Sequence, residues 1–202
     1  MFGAVGADLF NVAKELVKLG ADVTVRDYYG SNALHFARSP QVAQLLIDQG
    51  LDPNTTMKLP QGGDPLPIGS NSALILAAQD GRVGVMDLLL KAGANPSARG
   101  VLGATAMHFA AQYNQVEAMK RLLETRKVDV NATDGSETSL HWAVGYRRID
   151  AVKFLLGAGA DVSIRQSNNQ RRTSLELAKA IGALEIANLI EQFTASLPKP
   201  KT

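Results

Sequence analysis

The chain has 202 residues, 46% of them hydrophobic, with 21 basic and 19 acidic side chains for a net charge of +2 and no cysteine. That length and apolar content suffice for a sizeable buried core. The lack of thiols excludes disulfides, thiolate zinc sites and cysteine nucleophiles, and the near balance of charge excludes the dense cationic face that neutralises nucleic-acid phosphates.

The N-terminal stretch MFGAVGADLFNVAKELVKLG lacks the basic flank, apolar centre and cleavage site of a secretion signal. A cytoplasmic location is therefore expected, with a periplasmic or secreted one open if a signal has been removed. Apolar runs such as Leu88-Leu89-Leu90 and Phe154-Leu155-Leu156 fall far short of the roughly 20 residues of a membrane span. Neither membrane nor nucleic acid is expected among the partners.

A first unit, residues 1–26, ends at Gly20-Ala21-Asp22. A second, 27–54, opens on a turn with Tyr28, Tyr29 and Ser31, continues through Leu34-His35-Phe36-Ala37 and closes at Gly50-Leu51-Asp52. Ser39-Pro40 is expected to cut its first helix to about one turn, because proline removes a helical donor and clashes with the preceding turn. Residues 55–69 form an insertion in which Pro60, Pro65 and Pro67 stiffen the chain and Leu59, Leu66 and Ile68 offer apolar groups. A tolerated long loop and a preorganised binding finger are both compatible with it.

The third unit, 70–98, contains Ala73-Leu74-Ile75-Leu76-Ala77-Ala78 and then Gln79 and Asp80. Val85, Met86, Leu89 and Leu90 follow at helical spacing, before Gly93-Ala94-Asn95. The fourth, 99–131, places Val101 and Leu102 at a turn tip and Gln112-Tyr113 at a helix end; it has Arg126 where the others have glycine. The fifth, 132–163, opens on Asp134-Gly135-Ser136-Glu137-Thr138, one residue out of register, and runs through His141, Trp142, Gly145-Tyr146 and Arg147-Arg148 to Gly159-Ala160-Asp161. The sixth, 164–193, contains Arg171-Arg172 and has Glu176 in the histidine position; Lys179, Glu185, Asn188, Glu191 and Gln192 give it the polar surface of a terminal cap. Residues 194–202 are expected to be a disordered tail.

These units repeat. His35, His108 and His141 each follow an aliphatic residue and precede an aromatic residue and an alanine; His108 and His141 are 33 residues apart, and Ile75 lies 33 before His108. Ile75 precedes Gly93 by 18 residues and His141 precedes Gly159 by 18, whereas His35 precedes Gly50 by only 15. Phe2 falls at the histidine position of the first unit, so that unit lacks its turn and the opening of its first helix. Each unit reads as two short helices and a turn.

A 33-residue period carrying Gly-x-Thr-x-x-His-x-Ala-Ala and then Leu-Leu-x-x-Gly-Ala-Asp resembles the ankyrin repeat, best at residues 103–111 and 155–161. The resemblance implies an all-α solenoid of stacked helix-turn-helix units with projecting turns, one domain over 1–193 with the six units above. It also implies that each histidine ring bonds to turn backbone and a threonine hydroxyl, and that units stack about 10 Å apart, too far for three histidines to share a metal with ligands near 2 Å. Trp142 shares its slot with Phe36, Leu76, Phe109 and Leu177, so burial between helices is expected. Asp22, Asp52, Asp129 and Asp161 also share one slot, which reads as turn capping.

No P-loop, dinucleotide glycine motif or nucleophile elbow appears. The expectation is a non-enzymatic, monomeric chain without cofactor or metal that binds a partner protein. The resemblance places binding on the concave face of turn tips and first helices. Tyr28, Tyr29, Ser31, Gln79, Asp80, Val101, Leu102, Gln112, Tyr113 and Tyr146 are the candidates there, tyrosine being enriched in binding hot spots. Arg147 with Arg172 offers a cationic cluster, and Leu66 and Ile68 the inserted finger. An inhibitor or immunity-type protein that masks an enzyme is the sharpest form of this expectation. The alternatives are a bacterial effector or adaptor acting on host proteins, and the regulatory part of a larger protein.

Overall fold

The computed structural model describes residues 1–57 and 71–197. They contain eleven α-helices: α1 Phe2–Gly6, α2 Phe10–Lys18, α3 Pro40–Asp48, α4 Ala73–Gln79, α5 Val83–Lys91, α6 Ala106–Gln112, α7 Val116–Glu124, α8 Ser139–Gly145, α9 Ile149–Gly157, α10 Ser174–Ala180 and α11 Leu184–Ser196. The first helix of the second unit is a four-residue 3-10 turn, Ala33–Phe36.

α1 has no side-chain cap, but from the second unit on each first helix begins where a side chain replaces the hydrogen bonds that the first turn cannot make for itself. Asn32, Ser72, Thr105, Thr138 and Thr173 hold these N-cap positions. Just before them the backbone doubles back, with single antiparallel bridges at Thr56–Ser72, Arg99–Thr105, Thr133–Thr138 and Arg165–Thr173. The first of these pins the two ends of the insertion together, and the Met57 N–H donates to the Asn71 carbonyl at 3.1 Å.

No helix of seven to nine residues is stable alone, so the units hold one another. α4, α6, α8 and α10 pack side by side as one layer, and α3, α5, α7, α9 and α11 as a second. The seam between them is apolar: Leu34, Leu74, Met107 and Leu140 from one side meet Leu46, Leu89, Leu122, Leu155 and Ile190 from the other, all buried. Second helices end on left-handed glycines at 20, 50, 93 and 159. Arg126 adopts the same conformation at φ 55°, and Thr125 steadies the turn by donating its hydroxyl to the Leu122 carbonyl at 2.6 Å.

The first helix of the second unit is about one turn long, as expected, but Pro40 is not what ends it. Pro40 does not interrupt a helix; it occupies the first turn of α3, capped by Ser39, where its missing N–H is no loss. The three absent residues leave a hollow of about 330 Å³ lined by Gly6, His35, Phe36, Arg38, Asp80 and Arg82. Arg82 reaches back into it, donating to the carbonyls of Ala37 and His35 and lying 3.3 Å from Asp80. It satisfies carbonyls that a longer helix would have used. Arg82→Met is expected to lower stability by about 1–3 kcal/mol through those orphaned groups, read as a lower urea midpoint.

The last helix runs to Ser196, so residues 194–196 of the expected disordered tail are helical. Thr194 and Ser196 donate their hydroxyls to the Ile190 and Phe193 carbonyls, closing the end of the helix on itself.

Candidate partner-binding surface

The histidines do not converge. The Thr105 N–H donates to His108 Nδ1 at 3.2 Å, and the ring's Nε2 faces the Glu137 carbonyl of the next unit at 3.1 Å. His141 repeats this with Thr138 at 3.4 Å and Arg172 at 3.2 Å. An N–H pointing at Nδ1 and a carbonyl at Nε2 fix the neutral ring protonated on Nε2. One ring thus caps its own helix and ties it to the following unit. In the last unit Glu176 keeps only the local half, accepting from Thr173 N–H at 2.9 Å, and pairs with Arg165 at 2.7 Å. Burial pushes all three imidazoles below their ordinary value, against smaller opposing effects of their hydrogen bonds. The recurring aspartates are turn caps: Asp22, Asp52, Asp129 and Asp161 accept backbone N–H groups two residues on at 2.7–2.9 Å.

What remains on the surface of the first-helix layer is aromatic. The slot after the histidine is not buried between helices as expected. Phe36 is exposed and Leu76, Phe109 and Trp142 are only half-buried; Leu177 alone is buried. The slot lies on the outward side of the layer because the histidine and alanine on either side of it take the inward side. The Trp142 and Phe109 rings meet edge to face at 5.5 Å, and Trp142 also touches His108 at 5.4 Å and Tyr146 at 6.4 Å. Tyr113 and Tyr146, exposed, sit one helical turn beyond Phe109 and Trp142 on the same faces. The indole N–H donates to Asp134 Oδ2 at 2.9 Å, while Oδ1 of that carboxylate accepts from Ser136 and Glu137 N–H at 2.8 Å. Trp142 is therefore held rigid by a turn that is itself held rigid. Beside it, desolvation pushes the half-buried Glu137 carboxyl up, partly offset by a hydrogen bond from Gln166.

The expected residues divide. Tyr28 and Tyr29 are exposed in the hairpin turn, their rings edge to face at 5.4 Å. Leu102 is 65% exposed at its turn tip with φ 56°, a left-handed conformation that costs a leucine free energy, and Val101 beside it is half-buried. Gln79 and Gln112 are half-buried at helix ends, with Asp80 exposed. Tyr113 and Tyr146 stand at the opposite ends of their helices from the hairpins, so the four tyrosines form two edges of one face, with Phe109 and Trp142 on the helices between.

Ser31 is corrected. It is fully buried, its N–H bonded to Asp27 Oδ1 at 2.8 Å, so it holds the turn and offers nothing to a partner. Arg147 and Arg172 do not cluster: Arg147 donates to the Ile181 carbonyl at the end of α10, whereas Arg172 precedes that helix. Seven helical residues, about 10 Å at 1.5 Å per residue, separate them. Leu66 and Ile68 lie outside the described residues.

Residues 74–166 match the family model of ankyrin repeats, in three copies. The chain is also similar to the crystal structure of the human ASB11 ankyrin repeat domain, with 24% identity and a TM-score of 0.79 over 98% of this chain and 85% of that one. Residues 74–166 thus carry ankyrin repeats, and the fold across the described residues is that of an ankyrin repeat domain. Ankyrin repeats are protein–protein interaction modules, and the fold is typical of non-enzymatic ones.

Proposed function

We propose that this solenoid binds a partner protein, without catalysis, through the outward face of its first helices and the adjoining hairpin tips. The observation that supports this most is the Phe109–Trp142–Tyr146 cluster with Tyr113 beside it, a row of large rings left half-covered on a rigid layer. Rings fixed before binding lose little entropy on association, and tryptophan and tyrosine dominate binding hot spots. Leu102, displayed in a left-handed turn, and Tyr28 with Tyr29 extend the surface toward the hairpin edge.

In its sharper form the partner is an enzyme whose surface is masked. Capture from a native lysate followed by mass spectrometry names the partner, and assay of its activity with and without this chain tests the masking. Trp142→Ala is expected to weaken binding at least about tenfold, equivalent to about 1.4 kcal/mol, and Tyr113→Ala with Tyr146→Ala to add to it. Unchanged affinity in all three variants, with unfolding curves intact, would remove the first-helix face from the proposal.

A further inference from the structure

The residue before a second helix reaches back to the unit before it. In the fifth unit Arg148 does so with Nε, which donates to the Gln112 carbonyl at 2.7 Å, and in the fourth Gln115 lies directly over Gly81. Arg82 holds the same position in the third unit, but the helix it reaches for has four residues where α6 has seven. Its Nη1 stretches to the carbonyls of Ala37 and His35, and Nε is left buried with no acceptor among the described residues. A guanidinium sheds neither its charge nor its donors.

The hollow at this point is short of negative charge. Arg38 and Arg82 line it with Asp80 as the one carboxylate, two positive groups against one, while burial holds His35 below its ordinary value and so neutral. Asp80 lies 3.3 Å from Arg82, and exposed Arg38 pairs with no acid among the described residues. Burial presses the Arg82 guanidinium below its ordinary value; Asp80 opposes this and the charge of Arg38 adds to it, so the two guanidiniums are near enough to repel. One further carboxylate cancels the excess and offers acceptors that match their planar forks, where a phosphate dianion would overshoot. Phe36, 37% exposed and packed edge to face on Phe2 at 5.6 Å, supplies an apolar wall. That wall suits the methylene stem of an acidic side chain better than a free ion. Phe36 also stands in the outward slot of Phe109 and Trp142, so the hollow adjoins the candidate binding face.

We propose that the hollow beside Phe36 is a pocket for an aspartate or glutamate side chain of the bound protein, held between Arg38 and Arg82. The proposal rests on the partner-binding reading only for the source of that carboxylate. Titrating the isotope-labelled whole chain with N-acetylglutamate methylamide is expected to move the Arg82 Nε–H resonance saturably in nuclear magnetic resonance spectra. The glutamine counterpart is expected to leave it in place. Arg38→Glu, at an exposed position, is expected to abolish the response with the urea midpoint not lowered. No shift with the glutamate probe, or an equal shift with the glutamine one, overturns the proposal. A stronger response to inorganic phosphate overturns the side-chain assignment in favour of a small-anion site. Against the captured partner, Arg38→Glu is expected to weaken binding several-fold. Weakening by Trp142→Ala but not by Arg38→Glu overturns the pocket and leaves the first-helix face standing; weakening by Arg38→Glu alone does the reverse.

Discussion

Leu122→Ala is expected to lower the unfolding free energy by about 2–5 kcal/mol, the range for deleting a leucine side chain from a packed core. Leu122 is fully buried between the two helix layers, in the middle of the stack. The loss combines the transfer of its methyl groups with the cavity left behind, which neighbours on both sides are too closely packed to fill. In a one-dimensional array each unit is stabilised mainly by the units it touches, so a central cavity weakens two interfaces. Urea unfolding followed by circular dichroism should show both a lower midpoint and a broader transition. The control is Leu16→Ala, the same slot in the first unit. It is half-buried there, so its cost should be less than half that of Leu122→Ala. Equal costs would mean that the first unit is covered in the isolated chain, contrary to the exposure of Val12.

The periodic part of the molecule was legible because it is written in residue types with few substitutes. A capping threonine followed three residues later by histidine, and a glycine at a left-handed helix end, each answer a fixed backbone geometry, so they recur in register and reveal the units. The surface was less legible. Trp142 looked like core because its slot is apolar in every unit, yet apolarity in a stacked array serves both the seam and a binding face. Only the packing of each side chain separates them. Ser31 misleads for the opposite reason: a small polar residue in a turn reads as exposed, but its N–H closes the turn on Asp27 and the residue is fully buried. Arg147 and Arg172 sit in neighbouring units, but Arg147 follows the first helix of its unit, α8, whereas Arg172 precedes the first helix of the next, α10. Arg82 carried no signal at all. Its role arises from three residues that are missing elsewhere, and an absence in one unit does not point to the side chain in the next that compensates.

Acid should destabilise this protein through its histidines. In the folded state burial holds the rings of His35, His108 and His141 below the ordinary value near 6.5, whereas in the unfolded chain they titrate near it. Between those limits the unfolded chain binds more protons, so stability is greatest above pH 6.5 and falls as the pH drops below it. The geometry supplies the reason. A proton on Nδ1 of His108 or His141 would face the N–H of Thr105 or Thr138, exchanging an acceptor for a clash of donors at the helix cap, while Nε2 keeps its bond to the next unit. Melting temperatures measured from pH 7 to about 5.5, above the range of ordinary carboxylates, should therefore decline, with Glu137 working weakly in the other direction because its own carboxyl is pushed up. His108→Ala and His141→Ala should each remove about 1–3 kcal/mol at neutral pH by orphaning two turn groups. Together they should flatten the acid decline, leaving the contribution of His35. A double variant that loses stability with pH as steeply as the wild type would assign the acid sensitivity to groups other than these two inter-unit ties.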